Sequence, residues 1–199
     1  LSPPLHQPIL ESWTALTALA LETRAIRLGT LVTCNLFRYP SVLAKMSATI
    51  DIISGGRLEF GIGAGWYKEE CLAYGIQFPK ASVRIRRLKE SVQIIKKMWT
   101  EGRLDFEGRY YRIRDAICEP KPVQKPHPPV WIGGKGEKLL LKVVAELADY
   151  CNFSFCTPDE FRHKTEVLDK YCLSVGREIS EVKKSLYSNV LIAVTESKV

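Results

Sequence analysis

The residues of this 199-residue chain that could do chemistry gather where short apolar runs end in glycine. Leu58 to Gly63 runs into Ala64-Gly65-Trp66, with Glu69 three residues further on. Glycines at 55, 56, 61, 63 and 65 let the backbone turn tightly and approach a ligand that a Cβ would obstruct, and Trp66 can stack on that ligand or wall it. The same residues also suit a tight turn with Trp66 in the core and Glu69 as a first-turn acid, and the residues by themselves weigh the two readings evenly. A second segment, Ile132-Gly133-Gly134-Lys135-Gly136, leads from a strand towards a helix. Free amides at a helix start attract phosphate and Lys135 adds charge, although the later Gly-Lys-Ser/Thr of a Walker loop is missing and a lone Gly-Gly by itself favours a plain connecting turn. A third, Leu31-Val32-Thr33-Cys34-Asn35, ends another strand. No histidine lies near Cys34 to activate it, so a pocket-lining thiol is the better reading than a nucleophile. Asn152 to Cys156 ends a further strand and suits the side of a site that meets substrate.

Alternating strands and helices must position these segments. Helical spacing places a helix over about Leu10 to Arg24, with Trp13, Leu16, Ala20 and Leu21 inward. Ile26 to Thr33 reads as one buried strand. Pro40 suits a first helical turn, the stripe Leu43, Met46, Ile50, Ile53 follows it, and Ser54-Gly55-Gly56 ends the helix. After the strand Leu58–Gly63 and a mixed segment comes a strong helix carrying Ile85, Leu88, Val92, Ile95 and Trp99. Asp105 to Tyr111 looks like a small hairpin, and five of the eleven prolines fall between Pro120 and Pro129. Residues 101–129 therefore read as an excursion over the surface. Val130–Gly133 is a strand, Glu137–Leu147 a helix with Leu139, Leu140, Val143, Val144 and Leu147 inward, and Tyr150–Phe155 a strand. Thr157-Pro158-Asp159-Glu160 has the form of a capping box that opens a helix to Gly176, and Leu186–Val194 reads as a last strand.

Five strands with helices between them imply an α/β fold with a parallel sheet. A doubly wound sheet and a (β/α)8 barrel both fit. The chain starts within a helical layer and ends on an uncovered apolar strand, and a full barrel takes about 250 residues, so the expectation is a single domain over 1–199 that is an incomplete TIM-type barrel.

With 46% hydrophobic residues the chain can bury a substantial core. No stretch approaches the roughly 18 apolar residues of a membrane span, and Leu1 to Leu10 resembles neither a signal nor a transit peptide. The net charge of +7 favours anionic partners in general. Its densest group, Arg84, Arg86, Arg87, Lys89, Lys96 and Lys97, reads as the solvated face of an amphipathic helix rather than a nucleic-acid surface. Six cysteines without C-x-x-C spacing and three dispersed histidines, His6, His127 and His163, suggest no metal site and a reducing cytoplasm.

Several motifs in order resemble one family. Ile26-Arg27-Leu28-Gly29-Thr30-Leu31-Val32-Thr33, Phe37-Arg38-Tyr39-Pro40, Leu43-Ala44-Lys45-Met46 and Ser54-Gly55-Gly56-Arg57-Leu58 precede GIGAGW. Phe106-Glu107-Gly108-Arg109-Tyr110-Tyr111, Pro120-Lys121-Pro122-Val123-Gln124 and Pro128-Pro129-Val130-Trp131-Ile132-Gly133-Gly134 follow. Together they are similar to the bacterial luciferase-like flavin oxidoreductases, and look most like the branch that uses the deazaflavin coenzyme F-420.

The resemblance implies a TIM-type barrel with strands one, two and eight absent, an insertion at the proline-rich segment, and a cytoplasmic homodimer acting on a small molecule, with no nucleic-acid or membrane partner. It implies hydride transfer between coenzyme F-420 and an organic substrate. The alternatives are an FMN-dependent monooxygenase and a barrel, or truncated fragment, that binds without catalysis. It further implies a cis peptide between Leu31 and Val32 against the deazaflavin ring, and coenzyme contacts from Leu31, Val32, Cys34, Ala64, Gly65, Trp66 and Glu69. Gly133, Gly134 and Lys135 would hold the coenzyme phosphate. The family's Asp-His pair would lie just before Leu1. Some relatives carry a proton-transferring acid where this chain has Trp66, so that role does not carry over and no catalytic residue is assigned.

Overall fold

The computed structural model describes residues 8–190 and 192 of the chain. These form two compact units that meet in sequence at Pro129 and Val130.

The first unit is built on a parallel sheet. Helix α1 (Ser12–Glu22) precedes two very short strands, β1 (Leu28–Gly29) and β2 (Thr33–Cys34), and both pair in parallel with β3 (Leu58–Gly63). The single strand expected over Ile26–Thr33 is therefore interrupted, and the interruption spans Thr30 to Val32. Helix α2 (Pro40–Ile53) opens on its proline. It closes at Ser54, after which Gly55 and Gly56 take left-handed φ values of 65° and 82°.

A short helix, α3 (Lys68–Ala73), occupies the segment whose pattern was mixed, and α4 (Ala81–Thr100) is the long amphipathic helix. Strands β4 (Leu104–Glu107) and β5 (Arg112–Ala116) form a separate antiparallel hairpin, longer than the expected Asp105–Tyr111. The excursion is tied down: Leu104, Tyr111, Ile113 and Cys118 are buried. Its proline-rich end is held by the buried Asp51 carboxylate, which accepts the Gln124 backbone N–H at 3.0 Å and the Gln124 side-chain amide at 2.7 Å.

An aromatic series fills the core of this unit. Phe60 of β3 lies 5.9 Å from Trp13 and 5.0 Å from Trp99, the latter edge-on at 90°. Both indoles are buried with their N–H groups satisfied, Trp13 by Thr33 Oγ1 at 3.1 Å and Trp99 by the Ala44 carbonyl at 3.0 Å. Leu21, expected inward, is exposed, as is Ile53 at the end of α2.

In the second unit β6 (Val130–Gly133), β7 (Tyr150–Ser154) and β8 (Lys183–Tyr187) form a parallel sheet in that order. Helix α5 (Leu140–Leu147) connects the first two strands, and α6 (Pro158–Ser174) with a single turn of 3-10 helix (Ile179–Glu181) connects the last two. The capping box forms as its sequence indicates: Glu160 N–H donates to Thr157 Oγ1 at 3.2 Å and Thr157 N–H to the Glu160 carboxylate at 3.0 Å. Helix α5 starts three residues later than expected, because Glu137 to Leu139 form a turn and Leu139 is exposed. The last strand lies earlier than Leu186–Val194: residues 188–190 are irregular, while Leu191, Ala193 and Val194 lie outside the described residues. His6 lies outside them too.

Among the described residues no helix is long and apolar enough to cross a membrane. None of their His, Cys, Asp and Glu side chains form a group of three or more that could hold a metal ion.

Candidate functional site

The interruption between β1 and β2 has a local cause in β3. A Cβ on Gly61 would lie 1.8 Å from the Thr30 carbonyl oxygen, so only glycine lets the Thr30 backbone pass there. Thr30 Oγ1 fastens the crossing by donating to the Gly61 carbonyl at 2.8 Å. The next peptide, Leu31–Val32, is cis. Leu31 is left 57% exposed, while Thr33 returns to the sheet and is buried.

At the carboxyl end of β3 the chain turns through Ala64 and Gly65. Gly65 has φ +85°, and a Cβ on it would sit 2.8 Å from Cys34 Sγ. The glycines at 61 and 65 are thus required by neighbouring protein atoms, a requirement that the sequence pattern does not distinguish from approach to a ligand. Trp66 follows, 71% exposed, its ring stacked on Tyr67 at 5.2 Å and 26°. The reading of Trp66 as a core aromatic is therefore overturned, since the corner projects it from the fold. Glu69 is an exposed first-turn acid of α3, where the helix dipole favours it.

Cys34 lies beneath this corner. Burial pushes its thiol up to about 11, with the neighbouring Cys71 thiol and Glu70 carboxylate acting in the same direction. A thiol held protonated in this way fills space and does not attack. Asn35, the next residue, is buried, and its N–H closes on the Gly63 carbonyl at 2.9 Å. Its side-chain amide reaches Tyr111 Oη at 3.5 Å, which Arg87 Nε also meets at 3.3 Å. The hairpin turn that carries Tyr111 is gripped by Glu90 of α4, whose carboxylate accepts the N–H groups of Arg109, Tyr110 and Tyr111 at 2.9–3.1 Å. Sequence reasoning missed Glu90, Arg87 and Tyr111 as supports of the corner. Phe106-Glu107-Gly108-Arg109-Tyr110-Tyr111 marked the hairpin, but nothing local in it points to α4.

In the second unit the Gly133–Lys135 segment departs from the expected geometry. Gly133 ends β6, the Gly134 N–H is already committed to the Asn152 carbonyl at 2.9 Å, and α5 begins only at Leu140. The glycine turn is therefore not a helix start, and the Gly134 amide is not free for phosphate. The Lys135 ammonium is exposed and meets the Phe155 carbonyl at 3.4 Å.

The groove in the first unit formed by Trp13, Thr17, Val42, Lys45, Met46 and Ile117 is lined by none of the corner residues.

Comparison with known proteins gives one family model, described as luciferase-like monooxygenase, that matches residues 2–199. The F-420-dependent glucose-6-phosphate dehydrogenase of Microbacterium testaceum is 37% identical over 132 residues, which are 66% of this chain and 38% of that protein. The FMNH(2)-dependent dimethylsulfone monooxygenase of Pseudomonas putida is 39% identical over 95 residues, 48% of this chain and 26% of that protein. The solved coenzyme F-420 dependent tetrahydromethanopterin reductase from Methanopyrus kandleri superimposes with a TM-score of 0.81 at 24% identity, covering 90% of this chain and 54% of that one. The chain spans less than half the length of these two curated relatives. The likeness to the solved structure carries the fold, an incomplete (β/α)8 barrel of the TIM type.

Proposed function

The chain belongs to the luciferase-like monooxygenase family, and from that premise we propose that the whole protein is an oxidoreductase transferring a hydride between coenzyme F-420 and a small organic molecule. One observation carries the reading: Trp66 stands 71% exposed at the carboxyl end of β3, while Trp13 and Trp99 of the same unit are buried. An indole held flat on Tyr67 and open to solvent offers a face for a planar ring, and covering it removes a large apolar area from water. Leu31 adds a second exposed apolar surface where β1 breaks from β2.

These residues fit a deazaflavin ring. Leu31 and Val32 would pack on it, Trp66 would wall it, and the Ala64–Gly65 backbone would face it. Cys34 would support the turn from below as a neutral thiol, and Glu69 would border the rim. When bound, the deazaflavin supplies the carbon that accepts or releases the hydride, and the protein contributes position and exclusion of water. A homodimer in the cytoplasm completes the proposal.

FMN is the second reading, favoured by the 39% identity with the dimethylsulfone monooxygenase. The longer match, 132 residues against 95, is with an F-420-dependent enzyme and tips the choice. Equilibrium dialysis of the whole protein against each coenzyme separates them. Retention of coenzyme F-420 with weak FMN binding is expected, and tight FMN binding with no retention of coenzyme F-420 would overturn the proposal.

A further inference from the structure

We propose that Cys34 and Cys71 are a redox pair that hydrogen peroxide closes to a disulfide, and that the closed form holds a ligand at the Trp66 corner more weakly. The two sulfurs come from different elements, Cys34 from the end of β2 and Cys71 from the middle of α3, the helix that begins just after Trp66. Their thiols meet, with the Cys34 S–H donating to the Cys71 sulfur. Cys34 is half-buried, whereas Cys71 and the remaining cysteines are buried. A small oxidant therefore reaches the pair at Cys34.

Their surroundings give the two sulfurs different roles. Burial raises both thiols, but the bond between them acts oppositely on each: it keeps the proton on Cys34 and favours charge on Cys71. The Arg84 guanidinium of α4 also favours charge on Cys71, against the Glu70 carboxylate. Arg84 is fixed in place over the Phe78 ring at 3.9 Å, and its Nη1 donates to the Pro79 carbonyl at 2.6 Å. Its Nε is buried without a partner among the described residues. Cys34 is thus the sulfur that meets oxidant, and Cys71 the one that resolves it.

In the first step the minor thiolate form of Cys34 attacks one peroxide oxygen, forming an S–O bond and breaking the O–O bond. The hydroxide released takes up a proton, which leaves a sulfenic acid and water. In the second step the Cys71 thiolate attacks the Cys34 sulfur, forming the S–S bond and breaking the S–O bond, and the departing hydroxide takes up a proton. Together the two thiols lose two electrons and two protons to peroxide, and two waters leave. The second step joins sulfurs already in contact, so it outruns further oxidation of Cys34. Since Cys34 is almost wholly protonated near neutral pH, the pair withstands brief exposure and closes under sustained peroxide.

Closure acts on the corner through one atom. Cys34 Sγ fills the space beside Gly65, 2.8 Å from where a Cβ would stand. A covalent bond draws the sulfurs closer than hydrogen-bond contact, so the sulfur beneath the Gly65 turn shifts towards α3. The turn that projects Trp66 then loses the surface it rests on.

The weakened grip on coenzyme F-420 rests on the proposed function, whereas the disulfide does not. Prolonged treatment of the whole protein with hydrogen peroxide, followed by digestion without reductant and peptide mass spectrometry, tests the pair. A linked Cys34–Cys71 peptide should form and should vanish after dithiothreitol. In Cys71→Ser the Cys34 sulfur should instead pass to the sulfinic acid, which dithiothreitol does not reduce. By equilibrium dialysis the oxidised parent should bind coenzyme F-420 about tenfold more weakly, with affinity restored by dithiothreitol. Cys34 left free, Cys34 oxidised without joining Cys71, or disulfides confined to Cys118, Cys151, Cys156 and Cys172 would each overturn the pair. A linked pair with unchanged coenzyme affinity overturns its effect on the corner. If the link forms and reverses while the reduced protein retains neither coenzyme F-420 nor FMN, the redox pair stands and the hydride-transfer reading falls.

Discussion

The sulfur of Cys34 occupies the space that a side chain on Gly65 would need, 2.8 Å from the position of its Cβ. Strand β2 and the turn after β3 are thereby locked together at the point where Trp66 leaves the fold. Gly65→Ala meets two penalties, the clash with Cys34 and the left-handed φ of 85°. A loss of about 1–3 kcal/mol in chemical denaturation is expected. Adding Cys34→Ala should recover the part due to the clash and leave the part due to φ.

Cys34 also has a pH signature. Its thiol is raised by burial from 9.0 to about 11, so native and unfolded chains both carry a neutral thiol below about pH 9. Between there and about 11 only the unfolded thiol ionises, so this contribution to stability is full below pH 9, is lost through that window and is flat above it. Alkylation of Cys34 by iodoacetamide, followed by peptide mass spectrometry, should be slow at pH 8 and accelerate towards pH 11. Rapid labelling at pH 7 would show a thiolate that this environment does not support.

Arg57 closes the carboxyl end of α1. Its guanidinium donates to the carbonyls of Ala20, Thr23 and Ile26 at 2.8–2.9 Å and to the Ser54 carbonyl at the end of α2 at 2.7 Å. No lysine can span these acceptors. Arg57→Lys should cost about 2–4 kcal/mol, measured by urea denaturation, with the loss of amide protection concentrated in the last turn of α1.

Glu90 supports the hairpin from α4 through three backbone N–H groups. Glu90→Gln removes the charge and one acceptor oxygen, so hydrogen exchange at Arg109, Tyr110 and Tyr111 should quicken and stability fall by about 1–3 kcal/mol. The Asn35 to Tyr111 contact should loosen with it, seen as a shift of the Asn35 side-chain amide resonance. Unchanged exchange at those three amides would show that the turn holds itself.

What the sequence made legible was whatever local pattern encodes. Leu58–Gly63 and Val130–Gly133 are strands at the bounds their apolar runs indicate, and Thr157–Glu160 is the capping box its residues spell. The elements that escaped depend on distant partners. Ile26–Thr33 reads as one strand because nothing within it announces that Thr30 must cross Gly61. β8 holds Lys183 and Lys184 and so lacks an apolar run, yet Lys184 is accommodated by an ion pair with Asp169 of α6 at 2.8 Å. Nor does glycine spacing reveal that the Gly134 amide serves the Asn152 carbonyl on the neighbouring strand. Left-handed Phe155 carries no signal in its local pattern, and its ring and N–H both meet Tyr187 on another strand.

The central claim is that the exposed Trp66 corner receives the coenzyme ring. Tryptophan fluorescence of the whole protein during titration with coenzyme F-420 tests it most directly when repeated on Trp66→Phe. Within this chain, Trp13 and Trp99 are buried and Trp131 is half-buried, so Trp66 is the tryptophan most open to an added ring. The account predicts saturable quenching in the parent, and in the variant loss of most of that quenching together with affinity weakened by about three- to tenfold. Equal quenching and equal affinity in the two proteins would place the coenzyme elsewhere and contradict the account.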